Sequence, residues 1–346
     1  MERRTFFKTS ALAGAGIMTS GLSFGNVSRN PVQTGRRIGI IGLDTSHATE
    51  FTKSFNKENA LPDLGGYKVV AAYPQGSRDI ESSTSRVPGY IEEVKKYGVE
   101  IVDSIPKLLE KVDVILLESN DGRVHLEQAI PVFKSGKRMF IDKPISGSLT
   151  DAFAIIQVAK DLKQPLFSSS SMRYMSNMDD IIKDRNAGLV LGAETYGPAI
   201  LEATHPDFFW YGVHGIEAMY TMMGTGCHTV SLVHTPDTDV VVGVWDGNRI
   251  GTFRGRRTSG RALYTYGGNA FLANSIKNIG ESLGYDALLK EVVKYFETGI
   301  SPVSSEETLE IFTFMEAADE SKRRGGASVN LAETAHKALA QVKKIW

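Results

Sequence analysis

The apolar positions of this chain follow two regimes. From Arg37 onward, short β-rich runs alternate with segments of helical period: Arg37–Leu43, Lys68–Tyr73, Val112–Leu117 and Arg138–Asp142 read as buried strands. Helical patterns fall between them over Ala48–Asn59, Ile91–Tyr97, Ile105–Lys111 and His125–Ser135. Strand and helix in alternation predict a parallel sheet with right-handed crossovers. An amphipathic helix over Leu149–Lys163 and a strand over Pro165–Ser168 extend the same layer.

The pattern then changes. Alternating residues in Val240–Trp245 and Arg249–Phe253, with Asp246-Gly247 between, predict a hairpin of an antiparallel sheet. Helices over Ile216–Met223, Tyr285–Glu297 and Glu306–Arg323 are expected to cover that sheet. The fold class is therefore α/β: an N-terminal Rossmann-type parallel sheet, followed by a C-terminal α+β domain with a mostly antiparallel sheet. Residues 36–148 are assigned to the first domain and 149–346 to the second, and the crevice between them is the default site.

Residues 1–35 stand apart. Arg3-Arg4 followed by Phe6-Phe7-Lys8, then a charge-free stretch from Ser10 to Phe24 rich in Gly and Ala, predicts a twin-arginine signal peptide and export to the periplasm or beyond in the folded state. No later apolar run approaches the ~18 residues of a bilayer span, so no membrane crossing is expected after the signal. A net charge of −1 without a basic patch argues against a nucleic-acid partner. Cys227 is the only cysteine, which excludes an intramolecular disulfide and a multi-cysteine zinc site. Glu202, His205, Asp207 and His228 form no i, i+4 ligand pair, and no metal is expected.

In a dinucleotide-binding turn, spaced glycines let the backbone approach a diphosphate at a helix N-terminus. Gly39 and Gly42 are present, but the two later glycine positions hold Asp44 and His47. Asp44 is expected to cap the helix, taking the N–H groups a diphosphate would use. Thr45, Ser46 and a protonated His47 remain as phosphate ligands. The end of the second strand, Tyr73–Arg78, offers no acid for a ribose; Ser77 and Arg78 suit a 2′-phosphate, which favours NADP over NAD.

Three spaced features then combine: His125 opens a helix, Asp142-Lys143-Pro144 ends a strand eighteen residues on from His125 to Lys143, and Arg173 follows thirty residues after that lysine. In these intervals, and in Gly212–Glu217 and Ser305–Gly325, the chain resembles the Gfo/Idh/MocA family, that of glucose–fructose oxidoreductase and inositol dehydrogenase. The resemblance runs from Arg36 to the C-terminus. It implies an NAD(P)-dependent oxidoreductase acting on a sugar, cyclitol or glycoside hydroxyl, with Lys143 and His214 as the proton-transfer pair. It also implies Asn120, His125, Lys143 and Pro144 at the cofactor, Arg173, Trp210 and Tyr211 on the substrate side, and a homo-oligomer. The chain departs from the family at three places: Asp142 stands for the motif's Glu, Trp210 for an Asp, and Asn120-Asp121 for a Thr-Pro. A carbohydrate-binding protein without redox chemistry, or a lyase-like acid–base enzyme, are the alternatives these departures raise.

Overall fold

The computed structural model describes residues 35–257 and 264–342; the Arg3-Arg4 leader lies outside them. The first sheet has six parallel strands: β1 (Arg37–Ile41), β2 (Lys68–Tyr73), β3 (Glu100–Ile101), β4 (Val114–Leu117), β5 (Met139–Asp142) and β6 (Leu166–Ser169). Their order is 3-2-1-4-5-6, so the chain reverses direction across the sheet between β1 and β4, where such folds open a crevice at the strand ends. β4 and β5 are buried along their whole length, because helices cover both faces.

Those helices are α1 (Ser46–Asn56), α2 (Val87–Lys95), α3 (Ile105–Lys111), α4 (His125–Lys134) and α5 (Leu149–Asp161). α5 starts at Ser148, whose hydroxyl accepts from the Asp151 N–H. The first sheet runs on to Ser169, past residue 148 where the sequence boundary was drawn.

The second sheet has seven strands: β7 (Val190–Pro198), β8 (Cys227–Thr235), β9 (Thr238–Trp245), β10 (Arg249–Arg256), β11 (Gly267–Leu272), β12 (Ile276–Asn278) and β13 (Val329–Asn330), in the order 12-11-7-10-9-8-13. Only the β7–β10 pair is parallel. The Asp246-Gly247 hairpin forms as expected: Trp245 pairs with Arg249, and Gly247 takes a φ of 73° that the turn requires.

Five further helices are α6 (Met178–Asn186), α7 (Val213–Met223), α8 (Asp286–Thr298), α9 (Ser305–Arg323) and α10 (Leu331–Val342). Every residue of α7 is buried, as an element wedged into the core must be. One expectation is corrected here. α8 does not cover the second sheet; its Leu288, Leu289, Val292 and Phe296 pack with Ile38, Val69, Val114 and Phe140 on the first. The apolar period of that segment specifies a buried face but not the sheet it meets. Among the described residues no helix is long and apolar enough to cross a membrane.

Candidate active site

The chemistry gathers at the C-terminal ends of β1, β4 and β5. Gly42 ends β1 with a φ of +90°, and a Cβ there would lie 2.5 Å from the Ser119 backbone nitrogen, so only glycine admits this close approach. Thr45 is the cap of α1: its hydroxyl accepts from the His47 N–H at 3.4 Å. Asp44 therefore does not cap the helix as expected. Its fully buried carboxylate instead accepts from the Ser77 N–H (2.6 Å) and the Asn120 N–H (2.9 Å), tying together the loops after β1, β2 and β4. Burial raises the Asp44 carboxyl despite those two amide donors.

His47 fills the last glycine position with a ring. Its Nδ1 lies 2.7 Å from Asp142 Oδ2, and the imidazole stacks on Phe51 and meets the edge of Tyr285, with centroids 5.6 and 4.9 Å apart. Glu118, the residue after β4, is fully buried beside this pair, and neither of its oxygens has a hydrogen-bond partner among the described residues. Burial and the neighbouring Asp142 push its carboxyl well up.

Lys143 follows Asp142 and is half-buried, and its ammonium makes no hydrogen bond or ion pair among the described residues. A void of about 10 Å³ separates it from Val213 and Glu217 of α7, the helix that carries His214. His214 Nδ1 is held 2.6 Å from Ser170 Oγ. Burial, with help from the charges of Lys143 and His47, pushes the His214 imidazole well below its ordinary value. It is neutral near pH 7.

Ser170 is itself fixed. The Glu217 carboxylate accepts from the Ser170 N–H (2.9 Å), the Ser169 hydroxyl (2.7 Å) and Arg173 Nε (2.9 Å). Arg173 also pairs with Glu307 at 2.6 Å and is buried. This corrects its expected place on the substrate side: the guanidinium is spent on two internal carboxylates.

Two other expectations are corrected. Gly39 sits within β1, where a Cβ would meet Val112, Ile115 and Leu108, so it serves sheet packing and not a cofactor. His125 is fully buried, with Nε2 at 2.7 Å from the Ser119 carbonyl and Nδ1 at 3.1 Å from that of Ile145. It braces the loop behind the crevice and offers no nitrogen to a ligand. Trp210 is buried with the His205 ring 5.0 Å away, while Tyr211 is half-buried, its ring 6.1 Å from that of His214. Ser46 is exposed at the mouth of the crevice, and Pro144 is buried behind Lys143.

Beyond β2 a cleft of about 650 Å³ is lined by Ser77, Arg78, Ser104, Pro106, Val124 and Gln128. Its size admits an adenosine-sized group. Arg78 there is paired with Glu127 at 2.6 Å on the surface. A dinucleotide laid in the usual way is thus accommodated at its adenosine end and opposed at its diphosphate, where Asp44 brings a buried carboxylate and His47 an aromatic ring in place of bare backbone.

The residues the sequence did not single out are Glu118, Ser170, Glu217 and Tyr285. A carboxylate closing the all-apolar run Val114–Leu117 was the one available signal for Glu118.

The fold sets a six-stranded parallel Rossmann-type sheet N-terminal to a seven-stranded, mostly antiparallel one, within one compact unit from Gln33 on. Residues 36–170 match the Gfo/Idh/MocA family model, described as an oxidoreductase family with an NAD-binding Rossmann fold. A glycosyl hydrolase family 109 protein of Saccharopolyspora erythraea is 22% identical, over 56% of this chain and 45% of that protein. The chain thus spans about half the length of this curated relative. Among solved structures, a probable dehydrogenase from Thermotoga maritima superposes with a TM-score of 0.66 at 21% identity, over 86% of this chain and 99% of that one. scyllo-Inositol dehydrogenase from Lactobacillus casei, with bound NAD(H) and scyllo-inositol, gives 0.69 at 14% identity, over 86% and 100%. At these identities the likeness is one of fold.

Proposed function

We propose that the chain is an oxidoreductase that uses NADP or NAD to act on a hydroxyl of a sugar, cyclitol or glycoside. The observation that carries this reading is the placement of Lys143 against the helix bearing His214, one group from each domain, at the strand ends of a domain that matches this family. Ser77 and Arg78 would hold the adenosine end of a nicotinamide dinucleotide, which would supply the hydride acceptor. Lys143 donates to the substrate oxygen and stabilises the negative charge that grows there. His214 Nε2, which has no hydrogen-bond partner among the described residues, accepts the hydroxyl proton when Nδ1–H donates to Ser170. Tyr211 and the exposed edge of the crevice position the sugar.

Asp44 and His47 favour a second reading, acid–base chemistry on a carbohydrate without the dinucleotide. Titration of the purified protein with NADPH and NADH by fluorescence, with a turnover screen of sugars, cyclitols and their keto forms, separates the two. Binding and turnover are expected; sugar binding with neither would leave only the second reading.

We further propose export by the twin-arginine route, read from residues 1–24, and a homo-oligomer. Ile250 and Val244 are paired across β10 and β9 with both side chains exposed, and Leu191 is exposed on β7, an apolar face suited to a second copy. Replacing Arg3-Arg4 by Lys-Lys should leave the protein folded in the cytoplasm. Light scattering reads the assembly state.

A further inference from the structure

His47, Glu118 and Asp142 come from three separate elements: the first turn of α1, the end of β4 and the end of β5. One potential ligand atom from each lies within 4.8 Å of the others. Three oxygens there lack a hydrogen-bond partner: both of Glu118, which is fully buried, and Oδ1 of Asp142. Only Asp142 Oδ2 is engaged, by His47 Nδ1 at 2.7 Å. Lys143, next to Asp142 in the chain, is close enough for its charge to favour both carboxylates but forms no ion pair with either among the described residues.

Two buried carboxylates facing one another with unused lone pairs are unfavourable unless a cation sits between them or one of them takes up a proton. We propose that His47 Nδ1, Glu118 and Asp142 bind a divalent first-row transition ion. One imidazole and two carboxylates form a mixed N/O donor set that suits Zn²⁺, Mn²⁺, Fe²⁺ or Co²⁺, whereas Mg²⁺ and Ca²⁺ prefer oxygen alone. The two carboxylates neutralise the ion, so the buried site carries no net charge. Ligands ~2.0–2.2 Å from one tetrahedral ion lie about 3.3–3.6 Å apart. A shift of roughly 1.2–1.5 Å, within reach of a rotation of the Glu118 side chain, closes the site. The proton shared by His47 and Asp142 leaves as the ion enters. Three protein ligands leave a coordination position for water or a substrate oxygen.

The inference does not rest on the oxidoreductase reading, and its test uses no turnover. The full chain, stripped with chelator, is titrated with Co²⁺ by visible absorption and with Zn²⁺ by calorimetry. One ion per chain is expected for the wild type, with tetrahedral-type or five-coordinate d–d bands. Glu118→Gln and His47→Gln should each weaken binding by at least ~100-fold, since loss of a supporting residue alone typically weakens metal binding 10- to 100-fold. Without metal, Glu118→Gln should melt at or above the wild type, because an amide replaces a buried unpaired carboxylate. Zn²⁺ should raise the melting temperature of the wild type only. No uptake by the wild type, or equal affinity in both variants, overturns the assignment. Either result leaves the NADPH titration to decide the oxidoreductase reading separately.

Discussion

His205 Nε2 lies 3.3 Å from Asp121 Oδ1, without a hydrogen bond between them, and brings the segment between β7 and α7 against the loop that follows β4. Both side chains are buried. Asp121 also pairs with Arg123 at 2.7 Å and accepts from the Ser77 hydroxyl at 3.3 Å. Burial lifts the Asp121 carboxyl, but His205 and Arg123 outweigh it and hold the group well below the usual carboxylate range.

A carboxyl depressed in the folded state contributes stability that is present above its unfolded value, near 3.8, and is lost as the pH falls through the folded one. Asp121→Asn should therefore destabilise the protein at pH 7 by on the order of 3 kcal/mol, with Arg123 and His205 left without their buried partner. The deficit should shrink below pH 3.8. Urea unfolding at pH 7 and pH 3 measures it, and an equal deficit at both would show the ionised carboxylate to be irrelevant.

Asp44 makes a second, separable prediction. In Asp44→Asn one of the two amide donors, from Ser77 or Asn120, loses its acceptor. The expected loss is about 1–3 kcal/mol. The same change removes a negative charge from the N-terminal end of α1, so NADPH should bind more tightly, by about 1 kcal/mol or roughly fivefold. Weaker binding in a fluorescence titration would mean that the loop geometry Asp44 maintains matters more than its charge.

The parallel sheet was legible because β1, β2, β4 and β5 are continuous apolar runs, a pattern that burial on both faces imposes. β3 was not, since Glu100–Ile101 is two residues long and half exposed. Lys143 and His214 were named through the family resemblance, whose intervals survive substitution around them. The neighbours that determine their chemistry were hidden, because His47, Glu118 and Asp142 are far apart in sequence and meet only when β1, β4 and β5 align. Arg173 shows the opposite failure. Its interval from Lys143 pointed to the substrate, while its fate was decided by Glu217 and Glu307, which no local pattern announces.

Glu310 on α9 provides a pH test away from the crevice. Its carboxylate accepts from the Gly226 and Cys227 N–H groups, each at 2.8 Å, and burial pushes it up to about 7. The folded protein then holds a proton that the unfolded chain releases from pH 4.5, so this group's contribution is fully present below 4.5 and is lost as the pH rises through about 7. Glu310→Gln keeps an acceptor and removes the titration. At pH 8 it should be more stable than the wild type by on the order of 1–3 kcal/mol, with the gain vanishing below pH 4.5. Parallel stability curves from pH 4 to 8 would count against the assignment.

The last prediction concerns Lys143, His214 and the residue that holds the histidine. Removing a positioned acid–base group typically lowers the rate by ~10²–10⁴. Lys143→Met and His214→Gln should each fall in that range in kcat for whichever sugar or cyclitol is turned over. NADPH affinity should be unchanged in His214→Gln, because that ring comes from the second domain, away from the adenosine cleft. Ser170 touches no substrate in this scheme and acts by keeping His214 Nδ1 engaged at 2.6 Å, with its own Oγ pinned by the Met172 N–H at 3.0 Å. Ser170→Ala should lower kcat by roughly tenfold, less than loss of the ring itself. Ser170→Thr, which keeps the hydroxyl, should recover much of that loss. A purely structural serine would give equal deficits in Ala and Thr and a matching drop in melting temperature. Melting curves taken beside the kinetics decide between the two roles.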